Sequence, residues 1–402
     1  MGGGLHLARV AGVDVYLDWS LLIIFALVTV SLGAGVLPLW HPDWGAVTVW
    51  LVAVAAAILF FLSVLTHELA HAVVGRRQGM DVPRITLFVF GGVAQMRDEP
   101  GTWRAELLMA IVGPLTSLAI GVTCLLIGSA IAGPVDIDPA RPEQAFAALG
   151  PLATLLFWLG PVNIVLAAFN LVPGFPLDGG RVLRAALWGA TGDLRRATRW
   201  ASNAGQVFAW YLIGSGLAMV LGFSVPVFGA GGISGLWLAL IGWFLNNAAV
   251  QSYRQLLVRE ALTDVPVSRL MLTDVRVVSP DVSVQRFVDD YFLGSGQRAY
   301  PVIDGERLVG MACLRDVRKV PRADWEAKSV GDIMTREVAS VAPESPASEA
   351  LSELGRLGVN QLAVVADGHV RGLLRREDIL RWLALHGDAD LERDSDRELG
   401  RI

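Results

Sequence analysis

Uncharged, mostly apolar stretches run from Ser20 to Trp40, Trp44 to Thr66, Leu107 to Val135 and Ala145 to Leu177, and a longer one from Trp200 to Tyr253. A helix needs about 20 such residues to cross the hydrocarbon core of a bilayer, so each of the first four accommodates one span. The fifth has room for two, with the Gly/Pro-rich segment GFSVPVFGAGGISG at 222–235 as the place to turn. About six membrane-spanning helices are therefore expected. A stretch such as Arg84 to Met96 could enter partway and make the number odd. In that stretch, RITLFVFGGVAQM, alternating Ile85, Leu87 and Val89 suggest a strand and Gly91-Gly92 a tight reversal, although a short amphipathic linker reads almost as well.

Beyond the last apolar run the pattern changes to short alternating segments, and these repeat. Residues 264–320 align with 329–383: VSRLMLTDVRVVSPDVSV pairs with VGDIMTREVASVAPESPA, and VIDGERLVGMACLRDV with VADGHVRGLLRREDI. Met271 and Met334 are 63 residues apart, as are Gly305 and Gly368, whereas Gly310 to Gly372 and Asp316 to Asp378 span 62, a one-residue deletion. Two copies of a small strand-and-helix unit pack together to bury their apolar faces. The chain thus reads as a polytopic α-helical membrane region followed by an α/β tandem repeat.

Charge divides the chain at the same place. Residues 1–255 carry 13 basic and 13 acidic side chains and residues 256–402 carry 20 and 25, so the net charge of −5 falls entirely in the second part. Neither part is basic enough for nucleic-acid binding. With 53% hydrophobic and 18% charged residues, a purely soluble protein is not expected. Arginines alternate between the loops: Arg9 before the first span, Arg76, Arg77, Arg84, Arg97 and Arg104 after the second, Arg141 after the third, and Arg181, Arg184, Arg195, Arg196 and Arg199 after the fourth. The positive-inside rule then places both termini and the repeats in the cytoplasm. The only cysteines, Cys124 and Cys313, fall in different parts, so no disulfide framework is expected. The N-terminal MGGGLHLARVAGVDVYLDW lacks a compact signal-peptide pattern, and the first apolar run is expected to stay as an anchor.

Candidate chemistry sits at the end of the second apolar run, in LTHELAHAVVGRR. His67 and His71 are four residues apart and share a helix face, the spacing at which two imidazoles bind one zinc, and Glu68 beside them can take a proton from a water. A helix end whose polar residues reach the surface is the plainer alternative, but ionisable groups at membrane depth are costly and usually functional. Catalytic zinc needs a third protein ligand, and the topology nominates Asp178 in FNLVPGFPLDGGRVL, on the same side of the membrane. Pro173 and Pro176 break the helix there, and Gly179-Gly180 would let the chain turn sharply; an ordinary Asp-Gly loop is the alternative. His6, His41, His369 and His386 are worse placed.

HELAH, GPLTS at 113–117 and NIVLAAFNLVPGFPLDGG at 163–180 together resemble the site-2 protease family of intramembrane zinc metalloproteases, over roughly residues 5–250. The resemblance implies one zinc per chain held by His67, His71 and Asp178, Glu68 as catalytic base, and Asn170 as a residue that positions substrate or the developing oxyanion. Ser117 departs from the family pattern, which often has asparagine there, so it is assigned no role. The 84–96 element would correspond to a membrane-embedded hairpin that pairs with unwound substrate. The implied substrate is a single-span membrane protein, with a membrane-anchored transcriptional regulator as the family example, because a helical peptide bond must be unwound before it can be attacked.

The repeats resemble a tandem pair of CBS domains. Expected boundaries are 1–255 for the membrane protease domain, 256–322 and 323–386 for the CBS domains, and 387–402 for a charged, disordered tail. CBS pairs often bind adenine nucleotides through a hydroxyl residue and an aspartate three positions later. Asp316 and Asp378 are retained here, but Cys313 and Arg375 stand at the hydroxyl positions. Homodimerisation or docking with an empty cleft is therefore as good a reading as nucleotide binding. A CBS-regulated transporter or channel is the alternative from a different functional class; it would carry ionisable or broken-helix sites in several spans.

Overall fold

The computed structural model describes residues 4–89, 91–95, 100–133, 146–293 and 296–386. The expected disordered tail, 387–402, lies outside them, as do Arg97 and Arg141. The chain forms two compact units, Met1–Tyr253 and Arg254–Ile402.

The first unit opens with a hairpin of β1 (Leu5–Val10) and β2 (Val13–Leu17), which the apolar-run pattern did not anticipate. Ala11 and Gly12 make its turn, both at positive φ. Strands β3 (Arg84–Phe88) and β4 (Gly91–Gln95) form a second hairpin, and β2 pairs in parallel with β3 to give one sheet in the order β1-β2-β3-β4. Val13, Val15, Ile85 and Leu87 point from this sheet into a core shared with Val64, Leu65 and Ala72 of the second long helix.

Among the described residues, five helices are long and apolar enough to cross a membrane. They are α1 (Ser20–Trp40, with a π-turn at Leu32–Val36), α2 (Ala46–Arg77), α3 (Trp103–Ala132), α4 (Pro151–Asn170) and α7 (Gly232–Thr263). The sixth expected span is α6 (Leu194–Val220). At 27 residues, roughly 40 Å, it is long enough, but Ser202, Asn203, Gln206 and Ser215 dilute its apolar character. Some of that polarity is used internally, since Ser202 donates to the Ala249 carbonyl at 2.8 Å and Gln206 donates to Ser202 at 3.3 Å.

Helix α2 runs without a break through the HELAH segment and ends on Arg76 and Arg77, cations that suit the carbonyl end of a helix. The Thr102 hydroxyl caps α3 by accepting from the Ala105 amide at 3.2 Å. Helices α3 and α4 approach closely where Gly121 meets Gly160, since a Cβ at Gly160 would lie 2.8 Å from Leu125 and 3.1 Å from the Gly121 carbonyl. At the far end of α1, buried His41 stacks on Trp44 and lies 2.8 Å from the Thr154 hydroxyl of α4.

In the second unit, β5 (Ala299–Asp304) pairs with β6 (Arg307–Cys313), and β7 (Ser340–Val341), β8 (Gln361–Ala366) and β9 (His369–Arg375) form a three-stranded sheet. The two repeats exchange contacts reciprocally. Leu272 of the first bridges to Leu373 of the second, and Met311 of the first bridges to Thr335 of the second. The methionines of the repeat are used the same way, Met334 lying over Gly310 and Met271 over Gly372, where any Cβ would collide.

Candidate metal centre

His67 and His71 project from one face of α2 and meet Asp178, the first residue of α5 (Asp178–Thr191). His67 Nε2 lies 3.1 Å and His71 Nε2 3.2 Å from Asp178 Oδ2, and the two Nε2 atoms are 3.2 Å apart. Among the described residues this is the one group of three or more His, Cys, Asp or Glu side chains placed to hold a metal ion. The triangle is close to the face of a tetrahedron with bonds of about 2.0–2.1 Å, whose edges are roughly 3.3 Å.

The outer ring nitrogens support the same geometry. His71 Nδ1 lies 2.6 Å from the Met109 carbonyl, which can only accept, so that nitrogen carries the hydrogen and Nε2 presents its lone pair to the triangle. His67 Nδ1 lies 2.9 Å from the Ser117 hydroxyl, and both residues are buried. Ser117, to which the sequence resemblance gave no role, thus touches a histidine of the site. Two imidazoles and a carboxylate, held from behind, form a donor set that fits zinc.

Glycines make room for this arrangement. A Cβ on Gly113 of α3 would clash with His71 Nε2 and sit 2.7 Å from His67 Nε2. A Cβ on Gly92 of β4 would strike Glu68, which brings the edge strand's backbone against that carboxylate. Gly179 and Gly180 serve differently from the sharp turn expected of them. They lie inside the first turn of α5, where a side chain would run into the backbone of Leu171, Val172 and Gly174. Close approach of α5 to the LVPGF segment, rather than a loop at the carboxylate, is what requires them.

Met109, Gly113 and Ser117 follow one another at helical spacing on a buried face of α3, with Glu106 three residues earlier. The small and polar members of this stripe in an apolar helix, Glu106, Gly113 and Ser117, were the available sequence signal, and periodicity alone could not say what they faced. Asn170 closes α4, its amide donating to the Leu166 carbonyl at 3.0 Å within its own helix.

The aspartates of the second unit are occupied locally. Asp378 accepts from Arg375 Nε at 2.8 Å and Nη2 at 2.6 Å, and the carboxylate in turn raises the pKa of that guanidinium. Buried Asp316 accepts from the Cys313 amide at 3.1 Å and thiol at 2.9 Å and from Lys319 at 3.1 Å. Burial pushes the Cys313 thiol up, and the hydrogen bond to Asp316 acts in the same direction.

The model of Peptidase family M50 matches residues 55–133 and 126–212, and that of the CBS domain matches 267–323 and 330–385. Rip3 of Mycobacterium tuberculosis, which carries a zinc-metalloprotease name, is 36% identical over 391 residues, covering 96% of this chain and 94% of the relative. Zinc metalloprotease MJ0392 of Methanocaldococcus jannaschii is 29% identical, covering 82% of this chain and 84% of the relative. Among solved structures, a site-2 protease from Methanocaldococcus jannaschii is similar over 63% of this chain and 96% of its own, at 27% identity and a TM-score of 0.41.

Proposed function

The chain belongs to peptidase family M50, the membrane zinc metalloproteases of the site-2 type, and carries two CBS domains; from that premise we propose that His67, His71 and Asp178 hold a single zinc and that Glu68 is the catalytic base. The observation that carries the assignment is the triangle of donor atoms with His71 fixed by the Met109 carbonyl. The transporter alternative falls with the family assignment.

Zinc, when bound there, supplies Lewis acidity that polarises the scissile carbonyl and makes a water more acidic. Glu68 takes a proton from the attacking water as the C–O bond forms, and returns it to the amine nitrogen as the C–N bond breaks. Ser117 and the Met109 carbonyl keep the imidazoles turned inward. Substrate, a single-span membrane protein, enters as extended chain, because a helical peptide bond has its carbonyl hydrogen-bonded and shielded. Strand β4, the last in its sheet and packed on Glu68 through Gly92, offers backbone groups for such a chain to pair with. Asn170 is the candidate for orienting the substrate carbonyl.

Glu68→Gln should keep zinc and lose cleavage by at least about 100-fold, the scale of a removed general base. Metal content and turnover of a co-expressed single-span substrate measure both, and normal turnover would remove Glu68 from the role.

The arginine distribution supports cytoplasmic termini and CBS domains. For the CBS pair we propose control of substrate access through dimerisation and docking, with adenine nucleotide a secondary modulator at most. The local partners of Asp316 and Asp378 support weak nucleotide binding, because a ribose would have to displace them. If the chain truncated after Ser252 cleaves as the full chain does, the gating role is wrong.

A further inference from the structure

Glu106 of α3 is fully buried, and Arg184 of α5 reaches it with Nε 2.6 Å from Oε1 and Nη2 on the same oxygen. The guanidinium also lies 5.3 Å from the ring centre of Phe175, in the segment that leads into α5. Arg184 stands six residues beyond Asp178 on α5 and packs on Phe175, three residues before Asp178, so its guanidinium ties together the two flanks of the aspartate. Replacing a buried ion pair by apolar residues is often neutral or stabilising, so such a pair is a poor stability device; what it provides is one direction and one register.

Helix α3 supplies the partners of both histidines, Met109 and Ser117, from the same stripe that begins with Glu106. Two ligands are thus oriented by α3 directly. The third stands at the start of α5, which meets α3 at Gly189 against Trp103, where a Cβ would come within 2.8 Å of the ring, and at the ion pair. Gly189 allows close approach but does not select a register, since an apolar contact tolerates sliding. A charge pair in which two N–H groups of a rigid guanidinium converge on one buried carboxylate oxygen does select one.

We propose that Glu106 and Arg184 are positioning residues for the third metal ligand, holding α5 in register on α3 so that Asp178 meets His67 and His71. The proposal rests on Asp178 being a ligand.

The test uses the full-length chain in detergent. It reads zinc affinity by chelator competition, the ligand-field spectrum of the cobalt-substituted protein, and the melting temperature without metal. Glu106→Gln and Arg184→Met should lower zinc affinity about 10- to 100-fold and change the cobalt spectrum. Arg184→Lys, which keeps the charge but not the fork, should lose about 10-fold. The double variant Glu106→Leu/Arg184→Met should regain melting temperature and still bind zinc weakly, which separates register from stability. Thr154→Val, which removes the buried hydrogen bond to His41 at the end of α4 away from Asn170, should lower melting temperature and leave zinc affinity at the parental value.

Parental zinc affinity in Arg184→Lys or in the double variant overturns the proposal. So does a loss in Thr154→Val equal to that in the pair variants. Asp178→Ala separates the two levels: if it binds zinc as the parent does, the ligand assignment fails and the positioning role with it. If it loses zinc while the pair variants do not, the positioning role alone is wrong.

Discussion

Asp178 opens α5 and Asp378 stands in the first turn of the helix at 376–386, and their surroundings put them to opposite use. Asp178 faces two histidines 111 and 107 residues away, and its oxygen is shared by both ring nitrogens. Asp378 is held by Arg375, three residues before it, which takes both carboxylate oxygens. Asp316 is likewise engaged by Cys313, three residues before it. A carboxylate satisfied by its own turn is part of a helix cap. One that meets two imidazoles, each turned to it by a partner behind, has lone pairs to give to a cation.

The largest effect is expected from filling the space the first site needs. Gly113→Ala places a methyl group among both ligand nitrogens, so bound zinc and cleavage should fall below detection, whereas Gly128→Ala on the same helix, whose Cβ would meet Leu156 at 3.3 Å, should keep both. Metal analysis of the two purified variants decides it. Zinc in Gly113→Ala at the parental level would mean that the cluster does not bind metal as arranged.

Removing a partner rather than a ligand should have a smaller effect. Ser117→Ala deprives His67 Nδ1 of its hydroxyl and is expected to weaken zinc binding about 10- to 100-fold with the chain still folded. Chelator competition on the variant measures this directly.

At Asp378 the informative change removes a partner and frees the carboxylate. Arg375→Ser frees Asp378 and restores a hydroxyl, so affinity for AMP should rise by about 10-fold, roughly the worth of one hydrogen bond to a charged group. Calorimetric titration of parent and variant would show it, and unchanged affinity would mean that Arg375 is not what keeps nucleotide out.

The smallest effect expected is at Asp332, which caps the helix starting at Val330 by accepting from the Ser329 amide at 2.9 Å and hydroxyl at 3.0 Å. The Ser329 backbone hydrogen bond, with the hydroxyl, holds this carboxyl below its ordinary value. Its folded pKa is depressed, so its contribution is complete above the ordinary carboxylate value and is lost as pH falls through the folded one. Melting of the parent between about pH 5 and pH 3 should therefore fall more steeply than that of Asp332→Asn.

Much of this was readable before any coordinates. The apolar runs located the spanning helices, because crossing lipid imposes a length and composition on contiguous residues. The HELAH spacing placed two imidazoles on one face, and the 62- and 63-residue offsets exposed the repeat. Where contiguous pattern misled, packing explains the difference. Gly179-Gly180 mark close approach of α5 to the LVPGF segment rather than a turn.

What the sequence determined by itself is local: helix spacing, strand alternation, the charge of each loop, and the side chains available for chemistry. Tertiary structure decided which of them meet. It brought Ser117 to His67 across 50 residues, Met109 to His71 across 38 and Arg184 to Glu106 across 78, and it joined the N-terminal hairpin to β3. The physical reason is that hydropathy and helical period depend on neighbours a few positions away. Orienting a ligand or pairing a buried charge depends on a donor and an acceptor coming within about 3 Å, and that is set by how whole helices pack.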